Sequence, residues 1–73
     1  MTIEEIIIAA GGIPRGRMNE AGYELVLFDN PRSGTTLAMA AHEITDITAV
    51  KLHLTTSNLK FALAQLRERR KVA

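Results

Sequence analysis

Val50-Lys51-Leu52-His53-Leu54-Thr55-Thr56-Ser57-Asn58-Leu59-Lys60-Phe61-Ala62-Leu63 decides the reading of this chain, because its apolar residues change period partway along. Val50, Leu52 and Leu54 alternate with Lys51, His53 and Thr55, the period of two of a strand with one buried face. Beyond Thr55-Thr56-Ser57-Asn58, the residues Leu59, Ala62, Leu63 and Leu66 take the i, i+3, i+4, i+7 spacing of a helix with one apolar stripe. The expectation is a strand over residues 50–55 and a helix running on to Lys71, with Thr56 or Ser57 accepting the first backbone N–H groups of that helix. The competing reading is a single helix over residues 47–71. It requires four adjacent poor helix formers in its middle, two of them β-branched, and spreads apolar residues over most of its circumference.

Working outward, Thr2-Ile3-Glu4-Glu5 has the spacing of a capping box, with both glutamates at the positive end of a helix dipole. Ile3, Ile6, Ile7 and Ala10 form the apolar face of that helix, and Gly11-Gly12 followed by Pro14 ends it. A left-handed Gly12 would fold Ile13 back onto Ile8. Residues 14–22 read as a loop or short irregular strand, closed by a turn at Asn19-Glu20-Ala21-Gly22. Tyr23-Glu24-Leu25-Val26-Leu27-Phe28 is apolar on both faces and reads as a central strand. Asp29-Asn30-Pro31-Arg32-Ser33-Gly34 is dense in turn formers and reverses the chain into residues 35–41, read as a strand despite their alanines. Residues 42–46 are a polar connection. The expected architecture is a single small α+β domain over residues 1–73: an N-terminal helix, a three-stranded antiparallel meander and a C-terminal amphipathic helix. Either way of laying the helices on the sheet leaves an edge strand open to a second copy.

Seventy-three residues without cysteine form a small aliphatic core, with no disulfide and no zinc site of the usual kind. A core of that size supplies only about 3–5 kcal/mol, so self-association, as a homodimer, is the expected source of further stability. The longest apolar run, residues 6–10, is far below the ~20 residues of a membrane span, and no membrane role is expected. No segment combines a basic start, an apolar middle and a cleavage site, so a cytoplasmic location is expected. Charge is uneven. Residues 1–46 carry three arginines against seven carboxylates, net −4, and residues 47–73 carry six cations against Glu68, net +5. The two parts are complementary to one another, to a second copy, or to an acidic partner.

Gly11-Gly12-Ile13-Pro14-Arg15-Gly16-Arg17-Met18 is a near miss for a phosphate-binding P-loop. Arg17 stands where lysine belongs, Met18 removes the hydroxyl, and a helix precedes the segment where the motif needs a strand. What remains is a basic loop whose Arg15 and Arg17 can meet phosphates or carboxylates. His42-Glu43-Ile44-Thr45-Asp46 has the start of a zinc-hydrolase helix, but Asp46 occupies the place of the second histidine. His53 alternates with apolar residues and points to solvent on the strand reading, and Ser33, Thr35 and Thr36 have no base nearby in sequence. No catalytic constellation, metal site or cofactor site is expected.

Arg67, Arg69, Arg70 and Lys71 cluster at a helix C-terminus, where cations suit the dipole. Together with Arg15 and Arg17 they are the candidate partner-binding residues. Brevity and the absence of motifs give the chain the general look of small accessory proteins carried by phages and other mobile elements. The expected function is a non-enzymatic protein-interaction module, a homodimer that regulates or inhibits a macromolecular partner with an acidic surface. The alternative is a small DNA- or RNA-binding regulator using the basic helix end together with Arg15 and Arg17.

Overall fold

A computed structural model describes the backbone of residues 1–72 and the side chains of residues 1–69. Its elements are α1 (Ile3–Ala10), β1 (Ile13–Glu20), β2 (Tyr23–Asn30), β3 (Thr35–Ala40), a 3₁₀ turn (Ala41–Glu43) and α2 (Ile47–Val72). The class is the expected one, with two helices and an antiparallel sheet in the order β1-β2-β3. Its third strand is not. Residues 50–55 are helical, and the sheet is completed instead by β1, a full strand drawn from residues expected to form a loop or a short irregular strand.

Thr2 caps α1 as its spacing requires: its hydroxyl accepts from the N–H of Glu5, whose carboxylate accepts in return from the N–H of Thr2. Gly11, at φ 102°, ends the helix, and its N–H donates to the carbonyl of Ile8. Gly12 is needed for a different reason from the one its sequence position suggests. A Cβ there would lie 2.9 Å from Ile7 Cγ2 and 3.1 Å from Phe28 Cδ2, so the chain crosses the core at a point with no room for a side chain. Ile8 and Ile13 both stay exposed.

β1 lacks strand-like composition because an edge strand tolerates what a central one does not. Pro14 sits near its start, and the register against β2 shifts between Pro14 and Gly16, a bulge that Gly16 accommodates at φ 141°. The β1–β2 hairpin closes through Ala21 and Gly22 at φ 52° and 82°, both positive as a two-residue type I′ turn demands. β2 then pairs with β3 in a regular register, Leu27 opposite Ala38 and Phe28 opposite Leu37.

Both helices cover one face of this sheet. Ile6 and Ile7 from α1, Val26 and Phe28 from β2, Met39 from β3, Ile44, and Val50 and Leu54 from α2 make the core. Asp46 starts α2 by accepting from the N–H of Ala49 at 2.8 Å. Val50 and Leu54, four residues apart, share the buried stripe, while Leu52 turns outward and is 67% exposed. The strand reading mistook residues on two sides of a helix for one face of a sheet.

Thr55-Thr56-Ser57-Asn58 does not interrupt α2, because Thr56 bonds within the helix and two of the others, Ser57 and Asn58, find tertiary partners that a helix interior rarely offers. Thr56 donates to the carbonyl of Leu52 one turn back (2.9 Å). The Ser57 hydroxyl meets that of Thr35 on β3 at 3.3 Å. Asn58 Oδ1 accepts from the amide of Asn30 at 2.8 Å, and the same amide reaches the Leu54 carbonyl at 3.3 Å. Tertiary hydrogen bonds thus outweigh a weak intrinsic propensity.

α2 is about 39 Å long at 1.5 Å per residue, longer than the sheet it packs on. From Leu59 to Arg69 every side chain is exposed. The radius of gyration, 13.9 Å, exceeds the roughly 11 Å of a compact chain of this length, and the accessible surface, 5257 Å², exceeds the roughly 4,450 Å² expected of an 8.0 kDa monomer.

The type I′ turn holds Ala21 in a conformation that costs a non-glycine residue about 1–2 kcal/mol. Ala21→Asn, which tolerates that conformation better, is expected to stabilise the hairpin by up to about 1 kcal/mol and so raise Tm by at most about 4–8 °C. Thermal melting followed by circular dichroism measures it, and an unchanged or lowered Tm contradicts the turn assignment.

Candidate functional site

With both helices on one side, the other face of the sheet is left open. Leu25 and Leu27 of β2 lie on it, flanked by Met18 and Gly16 of β1 and by Ala40 and Ala38 of β3 as cross-strand neighbours. Leu27, half-buried, has the small residues Gly16 and Ala38 on either side. Tyr23 is 58% exposed at one end, its ring 6.3 Å from that of His42. At the other end Asp29 is held by Arg15 and Thr36. An antiparallel sheet with a solvated face ordinarily alternates apolar and polar residues. Here the uncovered face is aliphatic through its centre.

The second uncovered surface is a seam along α2. Leu52, Leu59 and Leu66 recur every seven residues, and Leu63 lies between the last two; all four are about half exposed or more. At 100° per residue they fall within about 60° of the helix circumference, on the side away from Val50 and Leu54. So narrow a stripe at seven-residue spacing is the pattern of a helix that packs against another helix. Lys60 and Arg67 border the seam on one side and Arg69 on the other, and the one acidic residue of α2, Glu68, lies on the opposite face.

The arginines expected to bind partners are dispersed by the fold. Arg15 and Arg17 lie on β1, not on a flexible loop. The Nε of Arg15 donates to Asp29 Oδ2 at 2.6 Å on the open face. Arg17 reaches the helix side, where Nη2 and Nε donate to Glu4 of α1 and Nη1 donates to Glu24 of β2 at 2.9 Å. Its guanidinium is consequently held above its ordinary pKa, chiefly by the hydrogen bond to Glu24 and then by that to Glu4. Arg67 and Arg69 are exposed on the last turns of α2, in none of the salt bridges among the described residues. The side chains of Arg70 and Lys71 lie outside the described residues.

Among the described residues neither histidine forms a salt bridge with a carboxylate. His42 lies against Tyr23, and His53 against Phe28 with ring centroids 6.3 Å apart. Beside His53 a groove of about 320 Å³ runs between β3 and α2, lined by Thr35, Leu37, Thr56, Ser57, Lys60 and Phe61. Among the described residues, no three carboxylates and histidines converge to hold a metal ion, and no helix is long and apolar enough to cross a membrane. Comparison with family models, curated proteins and solved structures finds no match, so geometry alone supports the reading that follows.

Of the two surfaces, the open sheet face was half visible in the two-sided apolar pattern of residues 23–28. Leu59, Leu63 and Leu66 of the seam were read as one helix stripe, but its full extent was missed because Leu52 was assigned to a strand. Reading Leu52, Leu59 and Leu66 together as a seven-residue repeat would have exposed it.

Asp29 provides a test of the open-face geometry. Thr36 Oγ1 donates to its Oδ1 at 2.7 Å and Arg15 to its Oδ2, and these bonds, in that order, hold its carboxyl below the ordinary carboxylate pKa of about 3.9. A depressed folded-state value means that Asp29 contributes stability above about pH 3.9 and loses it as pH falls through that lower folded value. An NMR titration of the side-chain carboxyl is expected to give a midpoint below 3.9, moved upward in Thr36→Val. A wild-type midpoint at or above 3.9 contradicts the network.

Proposed function

We propose that this chain is a non-enzymatic interaction module: a homodimer whose exposed surfaces engage and thereby regulate or block a macromolecular partner, the role of a small accessory protein of the kind phages and mobile elements carry. The observation that carries the reading is the mismatch between β2 and its surroundings. Its side chains are apolar on both faces, yet α1 and α2 cover only one. A sheet face with Leu25 and Leu27 at its centre and small residues around them favours close approach by a second sheet, at the roughly 10 Å spacing of a β-sandwich.

A second copy suits that face. Two identical open faces related by a twofold axis make an isologous contact that closes on itself and leaves no sheet face free. The ion pair of Arg15 with Asp29 sits at the rim, where it stays solvated. Such a dimer supplies the additional apolar burial that a single core of this size lacks. It leaves α2 pointing outward on each protomer, available to the partner.

The basic residues of α2 support a second reading, a nucleic-acid-binding regulator, since Lys60, Arg67 and Arg69 are exposed. The pairing of Arg15 and Arg17 with carboxylates removes two of the cations that reading called on.

Sedimentation across a range of concentrations tests the dimer. The wild-type chain is expected to sediment as a dimer that dissociates on dilution, and Met18→Glu combined with Ala38→Glu, both at exposed positions on the open face, is expected to yield a folded monomer. A wild-type monomer at every concentration, or a double variant that dimerises unchanged, refutes the arrangement. Labelled duplex DNA titrated at low salt tests the second reading, and absence of binding there eliminates it.

A further inference from the structure

We infer that the leucine seam of α2 is a docking site for an amphipathic helix of another protein, one that presents an aliphatic stripe flanked by acidic residues. This rests on the reading of the chain as an interaction module and names the partner surface that α2 recognises. A helix is the natural occupant because Leu52, Leu59, Leu63 and Leu66 form a narrow ridge about 21 Å long, which four-residue holes on a facing helix accommodate. The first turns of α2 are clamped to the sheet by Val50, Leu54 and Asn58, so the seam is held in place before any partner arrives. A prepositioned helix loses less entropy on binding than one that must fold.

Charge selects the sign of the partner. In the heptad set by these leucines, the flanking positions hold Lys60, Arg67 and Arg69 and no acid. A second α2 brought to the same seam would set one helix of net charge +5 beside another, with nothing to neutralise either. Glutamates or aspartates flanking a partner's stripe would neutralise all three cations at once. Nucleic acid answers the charge but not the ridge, leaving four leucines in water, and the lone aromatic of α2, Phe61, lies on the other side of the helix beside the groove. An anionic lipid surface calls for a wide apolar face with aromatic weight, where this seam is narrow and purely aliphatic.

The test uses the full chain and two synthetic four-heptad peptides with leucine at the seam positions, one carrying glutamate at the flanks and the other lysine. Fluorescence anisotropy is expected to show the acidic peptide binding at least tenfold more tightly than the basic one, with affinity that falls as salt rises. Leu59→Glu with Leu63→Glu is expected to abolish binding while the thermal transition stays within a few degrees of wild type, since both side chains are exposed. The charge-reversal variant Lys60→Glu with Arg67→Glu is expected to reverse the preference between the two peptides. Failure of the acidic peptide to bind overturns the inference, as does equal affinity for both peptides. Displacement of the bound peptide by duplex DNA or by anionic vesicles overturns it in favour of those ligands. Loss of dimerisation in Leu59→Glu/Leu63→Glu assigns the seam to a second copy and likewise overturns it. The sheet-face dimer is read separately by sedimentation of Met18→Glu/Ala38→Glu, so the failure of either proposal is distinguishable from failure of the other.

Discussion

The amide of Asn30 is the point on which this small fold turns. It lies at the end of β2, 2% exposed, the one buried polar residue among those described, in a core otherwise made of aliphatic side chains, phenylalanine and methionine. Its nitrogen donates to the carbonyl of Leu54 and to Asn58, and its oxygen accepts from the N–H of Arg32 as the chain turns toward β3. One side chain therefore ties together the end of a strand, the turn that follows it and the middle of α2. A buried amide without partners costs about 1–3 kcal/mol. Sliding or rotating α2 on the sheet would incur that cost, so the hydrogen bonds specify which face of α2 is buried in a way that aliphatic packing alone does not. No buried side-chain nitrogen or oxygen among the described residues lacks a partner.

Fixing α2 in this way determines what stays exposed. Once Val50, Leu54 and Asn58 face the sheet, the helix geometry sends Leu52, Leu59, Leu63 and Leu66 outward, and the length of α2 carries its second half beyond the domain. Because α1 and α2 occupy the same side, the other face of β2 stays open. Arg17, clamping Glu4 and Glu24, holds α1 to the same side of the sheet, although ion pairs so exposed contribute little to stability. The two uncovered surfaces follow from one docking geometry and point in opposite directions. On the proposed function, a second copy would occupy one side and a different partner the other.

The sequence disclosed the elements whose signals are local. The capping box at Thr2, the two-sided apolar pattern of β2 and the turn formers after it needed no knowledge of the rest of the chain, and the structure has all three. α2 was misread, and β1 was seen only as a loop or short irregular strand, because what decides these two elements is not confined to their own residues. β1 is a strand because the type I′ turn folds it onto β2, and its proline, glycines and arginines are tolerated on an edge. α2 is continuous because Asn30 and Thr35, more than twenty residues earlier in the chain, receive Asn58 and Ser57. A reading based on neighbours in sequence sees Thr55-Thr56-Ser57-Asn58 as a boundary, since those residues favour one when nothing distant intervenes. Asp46, whose carboxylate caps the true start of the helix, was the local signal that pointed the other way. The basic cluster was found, but which of its members are already paired depended on the strand register.

The most direct measurement of this account is amide hydrogen exchange across residues 55–58, compared between the wild-type chain and Asn30→Ala. If α2 is one helix anchored by Asn30, the amides of Thr55 to Asn58 exchange slowly in the wild type, with protection close to that of Val50 and Leu54, and lose protection selectively in the variant. Rapid exchange at these four amides in the wild-type chain, between protected segments on either side, would mean that the helix is broken there and would contradict the account.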